Sequence, residues 1–196
     1  MIKRNIADYL PLTRQIIWNR RVGVRGFIQE DYAPIMQLAR SALPESVVLL
    51  FESTLSFHLK CREKGIDDGR RFWVYLHDAR HISIAGYQHR ASDPQDICWA
   101  GWFLVEKGVS PRLKISILGD LLEKCLQHPA FKTLFIEVYA NEAVSNIYSI
   151  YKKFNLREVG RIEDFYGHGE DLMIMSLDLD AIRAELGHHE IPFRVH

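Results

Sequence analysis

Ile97-Cys98-Trp99-Ala100-Gly101-Trp102-Phe103-Leu104-Val105, then the turn Glu106-Lys107-Gly108-Val109-Ser110-Pro111, then a segment reaching Gln127: this stretch decides the fold of the chain. Its first nine residues have the length and bulk of a central strand buried on both faces. Past the turn, Ile117, Leu118, Leu121, Leu122, Cys125 and Leu126 recur at the spacing of a helix packed on a sheet. The first turn of such a helix carries unpaired N–H groups and the positive end of its dipole, so it is a place where a phosphate can sit.

Working outward, Phe72 to Leu76 and Ile82 to His89 read as a hairpin, and the polar loop Ala91 to Asp96 leads into the central strand. Nearer the start, Val22 to Ile28 reads as a strand and Gln29, Glu30 and Asp31 as a helix start. Ile35, Leu38, Ala39 and Ala42 give that helix its apolar face, Pro44 ends it, and Val48, Phe51, Leu55 and Leu59 mark a second helix. On the other side, Leu134 to Tyr139 is a buried strand, and Val144, Ile147, Tyr148 and Tyr151 mark another helix. Strands follow at Arg157 to Phe165 and Leu172 to Leu179. The expected organisation is an N-terminal extension over residues 1–21, one domain over 22–179 and a peripheral tail over 180–196. No internal repeat or linker divides it.

Composition narrows the function classes. With 196 residues the chain can bury a sizeable core, and 25 basic against 25 acidic residues leave no global charge to draw nucleic acid or an anionic membrane. The three cysteines, Cys61, Cys98 and Cys125, are far apart and follow no metal-binding or disulfide pattern, which points to a reducing, cytoplasmic setting. His188 and His189 are adjacent and have no supporting ligand pattern, so no metal is expected. Met1-Ile2-Lys3-Arg4 leads into Asp8 rather than an apolar secretion core, so a soluble, unprocessed chain is expected.

Three segments sharpen this reading. Val109, Ser110 and Pro111 precede Gly119, Leu121 and Leu122; Tyr151 opens Tyr151-Lys152-Lys153-Phe154-Asn155-Leu156; and Tyr166-Gly167-His168-Gly169-Glu170-Asp171 precedes Met175. With the order of elements, these resemble the GCN5-related N-acetyltransferase family across residues 22–179. The resemblance implies an α/β (α+β) fold: a mixed, mostly antiparallel sheet of about seven strands, helices on both faces, and a fourth and fifth strand that splay apart. It implies acetyl-CoA as co-substrate and a primary amine as acceptor, either a small molecule or a protein N-terminus, attacked directly in a ternary complex. The terminal segments leave room for two subunits to pair.

The family's acetyl-CoA signature, Q/R-x-x-G-x-G/A, falls here on Lys114, Ile115, Ser116, Ile117, Leu118 and Gly119, of which only the last glycine is kept. By resemblance the cofactor set is Phe103, Leu104 and Val105 of the central strand, Val109, the signature residues with Asp120, and Asn146. The family's Gly is Asn155 here, a residue that tolerates left-handed backbone. Acetyl transfer from a thioester needs a neutral amine, support for the oxyanion and a proton for the leaving thiolate. Tyr151 matches the family's general acid, against the alternative that its ring only packs on the sheet. Glu106 is the nearest carboxylate to the central strand, and Glu137 is either a base acting through water or a structural carboxylate. Ile117 and the absence of a carboxylate within the strand keep open a competing reading, a non-catalytic member that has lost acetyl-CoA.

Overall fold

In this computed structural model the described residues are 16–17, 21–140, 151 and 155–187. β1 (Val22–Gly26) leads through a 3-10 turn (Gln29–Asp31) into α1 (Tyr32–Ala42) and α2 (Glu45–Glu63). β2 (Arg70–His77), β3 (Arg80–Gln88) and β4 (Ile97–Val105) follow, then α3 (Pro111–Gln127), β5 (Thr133–Ala140), β6 (Arg157–Gly167), β7 (Glu170–Asp178) and α4 (Leu179–Gly187). The seven strands form one sheet in the order β1-β2-β3-β4-β5-β7-β6. Every pairing is antiparallel except β4 with β5. A parallel pair needs a crossover, and α3 supplies it.

Local chemistry places the boundaries. Pro44 excludes the helical conformation at the residue before it, so α1 ends at extended Leu43, and α2 restarts behind Pro44. The β2–β3 hairpin turns on Asp78 and Ala79, both left-handed at φ 50° and 62°, the twist that suits a two-residue hairpin. Asn155 is left-handed too, at φ 63°.

Two layers of helix cover the sheet. α1 and α2 bury Ile35, Met36, Val48, Phe51 and Leu55 against Phe72, Val74, Ile84 and Leu104 on one face. α3 and α4 bury Ile117, Leu121, Leu122, Leu179 and Ile182 against Tyr75, Ala85, Cys98, Leu134 and Ile136 on the other, joined by Ile17 and Tyr151. All three cysteines are free and buried. Among the described residues no helix is long and apolar enough to cross a membrane.

Two expectations are corrected. The segment from Leu179 is not peripheral up to Gly187: it is a helix whose Leu179 and Ile182 are buried in the core. Its Arg183 guanidinium donates to the carbonyls of Leu126, His128 and Phe131 at 3.1, 2.9 and 2.7 Å, satisfying the end of α3 and the loop after it. The central strand is buried only at Cys98 and Leu104, and its other residues are half-buried both where β5 pairs with it and beyond. Most of the extension, the helix expected around residues 144–150 and the His188-His189 pair lie outside the described residues.

Asp31, 1% exposed, ties the first crossover to the sheet. It accepts two hydrogen bonds from Arg25, both 2.6 Å, one from the Ile28 N–H at 2.9 Å, and pairs with His81 Nε2 at 2.6 Å. Burial pushes its pKa up, but the Arg25, His81 and Ile28 bonds outweigh burial and hold it below its ordinary 3.8. A depressed carboxylate stabilises the fold above its unfolded-state pKa, and that contribution is lost as pH falls through the native value. Asp31→Asn is expected to cost about 2 kcal/mol at pH 7 in urea unfolding, less than a fully buried pair because Arg25 is 41% exposed. It should also flatten the loss of stability below about pH 4, where the wild-type carboxylate takes up its proton.

Candidate active site

β4 and β5 are paired only from Ile97↔Thr133 to Ala100↔Ile136, although the strands run nine and eight residues. Beyond Ala100 they part. β5 stays paired to β7 along its whole length, and β4 stays paired to β3 as far as Val105. Between Ala85↔Phe103 and Tyr87↔Ala100 the register shifts by one, so Gly101 and Trp102 together oppose Gly86: a bulge in β4 at the point of parting. Gly86 is closely approached from the β2 side, since a Cβ on it would stand 2.3 Å from a Phe72 ring carbon and 2.4 Å from the Arg71 carbonyl.

Past the bulge, backbone alternation decides what faces the opening. The Glu106 N–H donates to the Ile82 carbonyl at 2.9 Å, and the Ser83 hydroxyl donates to the Leu104 carbonyl at 2.7 Å, so even-numbered residues turn their backbone polar groups toward β3. Phe103 and Val105 therefore turn theirs the other way, where no described strand pairs with them. Extended backbone with free donors and acceptors is a surface on which another extended amide-bearing chain can lie.

The helix behind this opening starts early. Ser110 caps α3, accepting from the Leu113 N–H at 3.4 Å, Pro111 occupies the first position without an N–H, and the Lys114 N–H donates to the Ser110 carbonyl at 3.0 Å. The signature residues Ile115 to Gly119, with Asp120, thus lie inside α3, where their amides serve the helix ladder rather than a loop. Ser116, Ile117, Leu118 and Gly119 are buried in the core. Asp120 is engaged too: it accepts from the Tyr75 hydroxyl and from Lys124 Nζ, each at 2.7 Å, and Lys124 lies 5.2 Å over the Trp73 ring. Burial first, then the Asp120 charge, pushes the Tyr75 phenol well above its ordinary value. Lys114 and Ile115 are half-buried, and the Val109 N–H closes the preceding turn on the Glu106 carbonyl at 3.1 Å.

Tyr151 is 5% exposed in the same cluster as Ile136 and Val138, and burial pushes its hydroxyl up to about 12. Glu106 pairs with Arg80 at the start of β3, in a cleft of about 600 Å³ with His77, Ile82, Ser110 and Leu113, on the side of β4 away from β5. Glu137 sits differently. It is the first β5 residue past the last β4 pair, and strand alternation turns it to the face opposite Ile136 and Val138. There its Oε1 accepts from Arg90 Nη2 at 2.7 Å, and Arg90 lies 4.0 Å over the Trp99 ring, which packs on Phe135 at 4.9 Å. Tyr166 of β6 is close enough that, after burial, the Glu137 charge raises its pKa.

The Phe103 and Val105 backbone and Glu137 thus stand at the parting, Tyr151 is buried in the apolar cluster on the α3 face, and Glu106 is paired toward β3. Asn146 lies outside the described residues. Asp171 shapes the last hairpin, accepting from the Asp164 N–H at 3.1 Å and from Arg161 at 2.9 Å. Arg90 had no signal in the sequence, since one arginine after a strand is usually solvated.

No protein-family model matches the chain. It is 30% identical over 166 residues to an N-alpha-acetyltransferase from Sulfolobus acidocaldarius, covering 76% of this chain and 88% of that one. Two solved structures share its fold. A ribosomal-protein-alanine N-acetyltransferase from Brucella melitensis is 12% identical, with a TM-score of 0.61 over 80% of this chain and 99% of that one. A spermidine/spermine N-acetyltransferase from Vibrio cholerae is 10% identical, with a TM-score of 0.63 over 84% of this chain and 96% of that one.

If the bulge depends on the contact at Gly86, then Gly86→Ala must push Phe72 or the Arg71 backbone aside. The expected cost is about 1–3 kcal/mol, read as a fall in Tm of roughly 2–4 °C per kcal/mol.

Proposed function

The chain belongs to the GCN5-related N-acetyltransferase family and is an acyltransferase, and on that premise we propose that it moves an acetyl group from acetyl-CoA to the α-amine of a protein N-terminus. The observation that carries the proposal is the parting of β4 and β5 with the Phe103 and Val105 backbone turned into it. The choice of a protein α-amine over a small amine follows the Sulfolobus relative, whose likeness extends over 166 residues of sequence, whereas the spermidine enzyme shares only the fold.

The residues present fit the co-substrate in part. The unpaired edge of Phe103 and Val105 suits an extended amide-bearing arm. The phosphates would lie near the start of α3, held by the side chain of Lys114 and the helix dipole, because the amides from Ile115 to Asp120 are already bonded within the helix. Acetyl-CoA, when bound, supplies an activated thioester carbonyl.

The two faces of the opening divide the proton work. Tyr151, on the α3 face, has a hydroxyl pushed up to about 12, so near pH 7 it is a donor and never a base. An ordinary thiol titrates near ~8.5, so full transfer from this phenol is uphill in water. It becomes favourable as a desolvated sulfur gains charge in a dry site. Glu137, on the opposite face, is the carboxylate placed to take the proton of an incoming ammonium, directly or through a water. Donor and acceptor would thus enter from opposite faces and be held together at the parting, and it is their simultaneous binding that direct attack in a ternary complex requires.

Titration calorimetry with acetyl-CoA, followed by CoA release with a panel of N-terminal peptides, tests this. Micromolar binding and turnover are expected. Glu137→Gln should lower kcat/KM by about 10²–10⁴-fold, and Tyr151→Phe should lower kcat with little change in KM. A protein that neither binds acetyl-CoA nor acetylates any peptide would overturn the proposal and favour the non-catalytic reading. Turnover with spermidine alone would move the acceptor to small amines.

A further inference from the structure

Arg90 is held on three sides. Its carbonyl accepts from the Asp93 N–H at 2.9 Å, closing a turn directly after β3, and Asp93 in turn accepts from the Trp99 indole N–H at 2.7 Å. The turn is thereby pinned to the edge of the same indole whose face lies 4.0 Å beneath the Arg90 guanidinium, and Phe135 backs that indole from β5. A guanidinium resting on an aromatic plane keeps its N–H donors pointing sideways. One of them reaches Glu137 Oε1 at 2.7 Å. Among the described residues no other carboxylate is bonded to it, and the side chain is 38% exposed. An immobilised cation with donors to spare therefore stands beside the carboxylate that faces the parting of β4 and β5.

Resting on the reading of Glu137 as the group that meets the acceptor amine, we infer that Arg90 selects the acceptor: it favours a protein N-terminus with an acidic side chain at its first or second residue and disfavours basic N-termini and polyamines. An α-ammonium drawn to Glu137 brings the first side chains of its own chain within reach of Arg90. A carboxylate there completes a charge-assisted pair with the free edge of the fork, and a second cation meets like charge. Polyamines carry cations along their whole length, so one amine cannot reach Glu137 without another approaching Arg90.

The test compares kcat/KM for peptides identical except for Glu, Ala or Lys at the second position, with spermidine alongside, in the wild type and in Arg90→Gln, Arg90→Lys and Arg90→Glu. The wild type is expected to prefer the acidic over the basic peptide by about tenfold, the size of one charge-assisted hydrogen bond. Arg90→Gln should bring that ratio close to one, Arg90→Lys should keep its sign, and Arg90→Glu should invert it. The Lys variant keeps the test valid if the Gln variant folds poorly, because it alters the fork and preserves the charge. Equal rates for all three peptides in an active wild-type enzyme, or an unchanged ratio in Arg90→Gln, would overturn the inference and leave the acetyltransferase reading standing. Absence of turnover with every peptide would overturn both.

Discussion

Two parallel strands that begin as partners and then separate impose a requirement on everything around them. Each extended residue carries a donor and an acceptor that must find a partner or stay wet. In this sheet β4 gives up β5 after Ala100↔Ile136 while each keeps its outer neighbour, so the parting is held from both sides: β3 grips β4 as far as Val105, and β7 grips β5 from Thr133 to Ala140. The extra residue at the Gly101–Trp102 bulge adds bend and twist to β4 where the separation starts. What results is a permanent edge inside a sheet, with Phe103 and Val105 presenting backbone groups to whatever enters.

Along β5 the period of two divides the chemistry. Ile136 and Val138 face the α3 side, in the apolar cluster that holds Tyr151 and pushes its hydroxyl up by burial. Glu137, between them in sequence, faces the α1 and α2 side, where Arg90, Trp99, Phe135 and Tyr166 surround it. The buried Tyr151 phenol and the ion-paired Glu137 carboxylate are thereby set on opposite faces of the sheet. A one-residue slip of β5 would turn Glu137 to the apolar face and Ile136 and Val138 out of it, and eight consecutive pairs with β7 oppose such a slip.

The chain keeps the family's architecture, and the segment after the β4 turn is helical from Pro111 onward. With Ser110 as cap and Pro111 at the first position, α3 consumes the amides from Ile115 onward, and Ile117 is buried in the core. A buried isoleucine at this point strengthens packing of α3 against the sheet.

Periodicity and local chemistry were enough, without coordinates, to place the seven strands, the first three helices, the break at Pro44 and the three segments that resemble the family. Each of these depends on residues within a turn or two of one another. The contacts that distinguish one carboxylate from another were beyond that reach. Glu106 looked available because it follows the central strand, yet Arg80, 26 residues earlier, takes it. Glu137 meets Arg90 from 47 residues away, and Asp31 meets His81 across 50. The docking of α4 under the end of α3 joins Arg183 to a carbonyl 57 positions earlier. Sequence determined which surfaces are apolar and at what repeat, because that is written within each element. Only the tertiary structure decided which charges meet and where β4 and β5 part, because both depend on sheet register, set by packing between elements far apart in the chain.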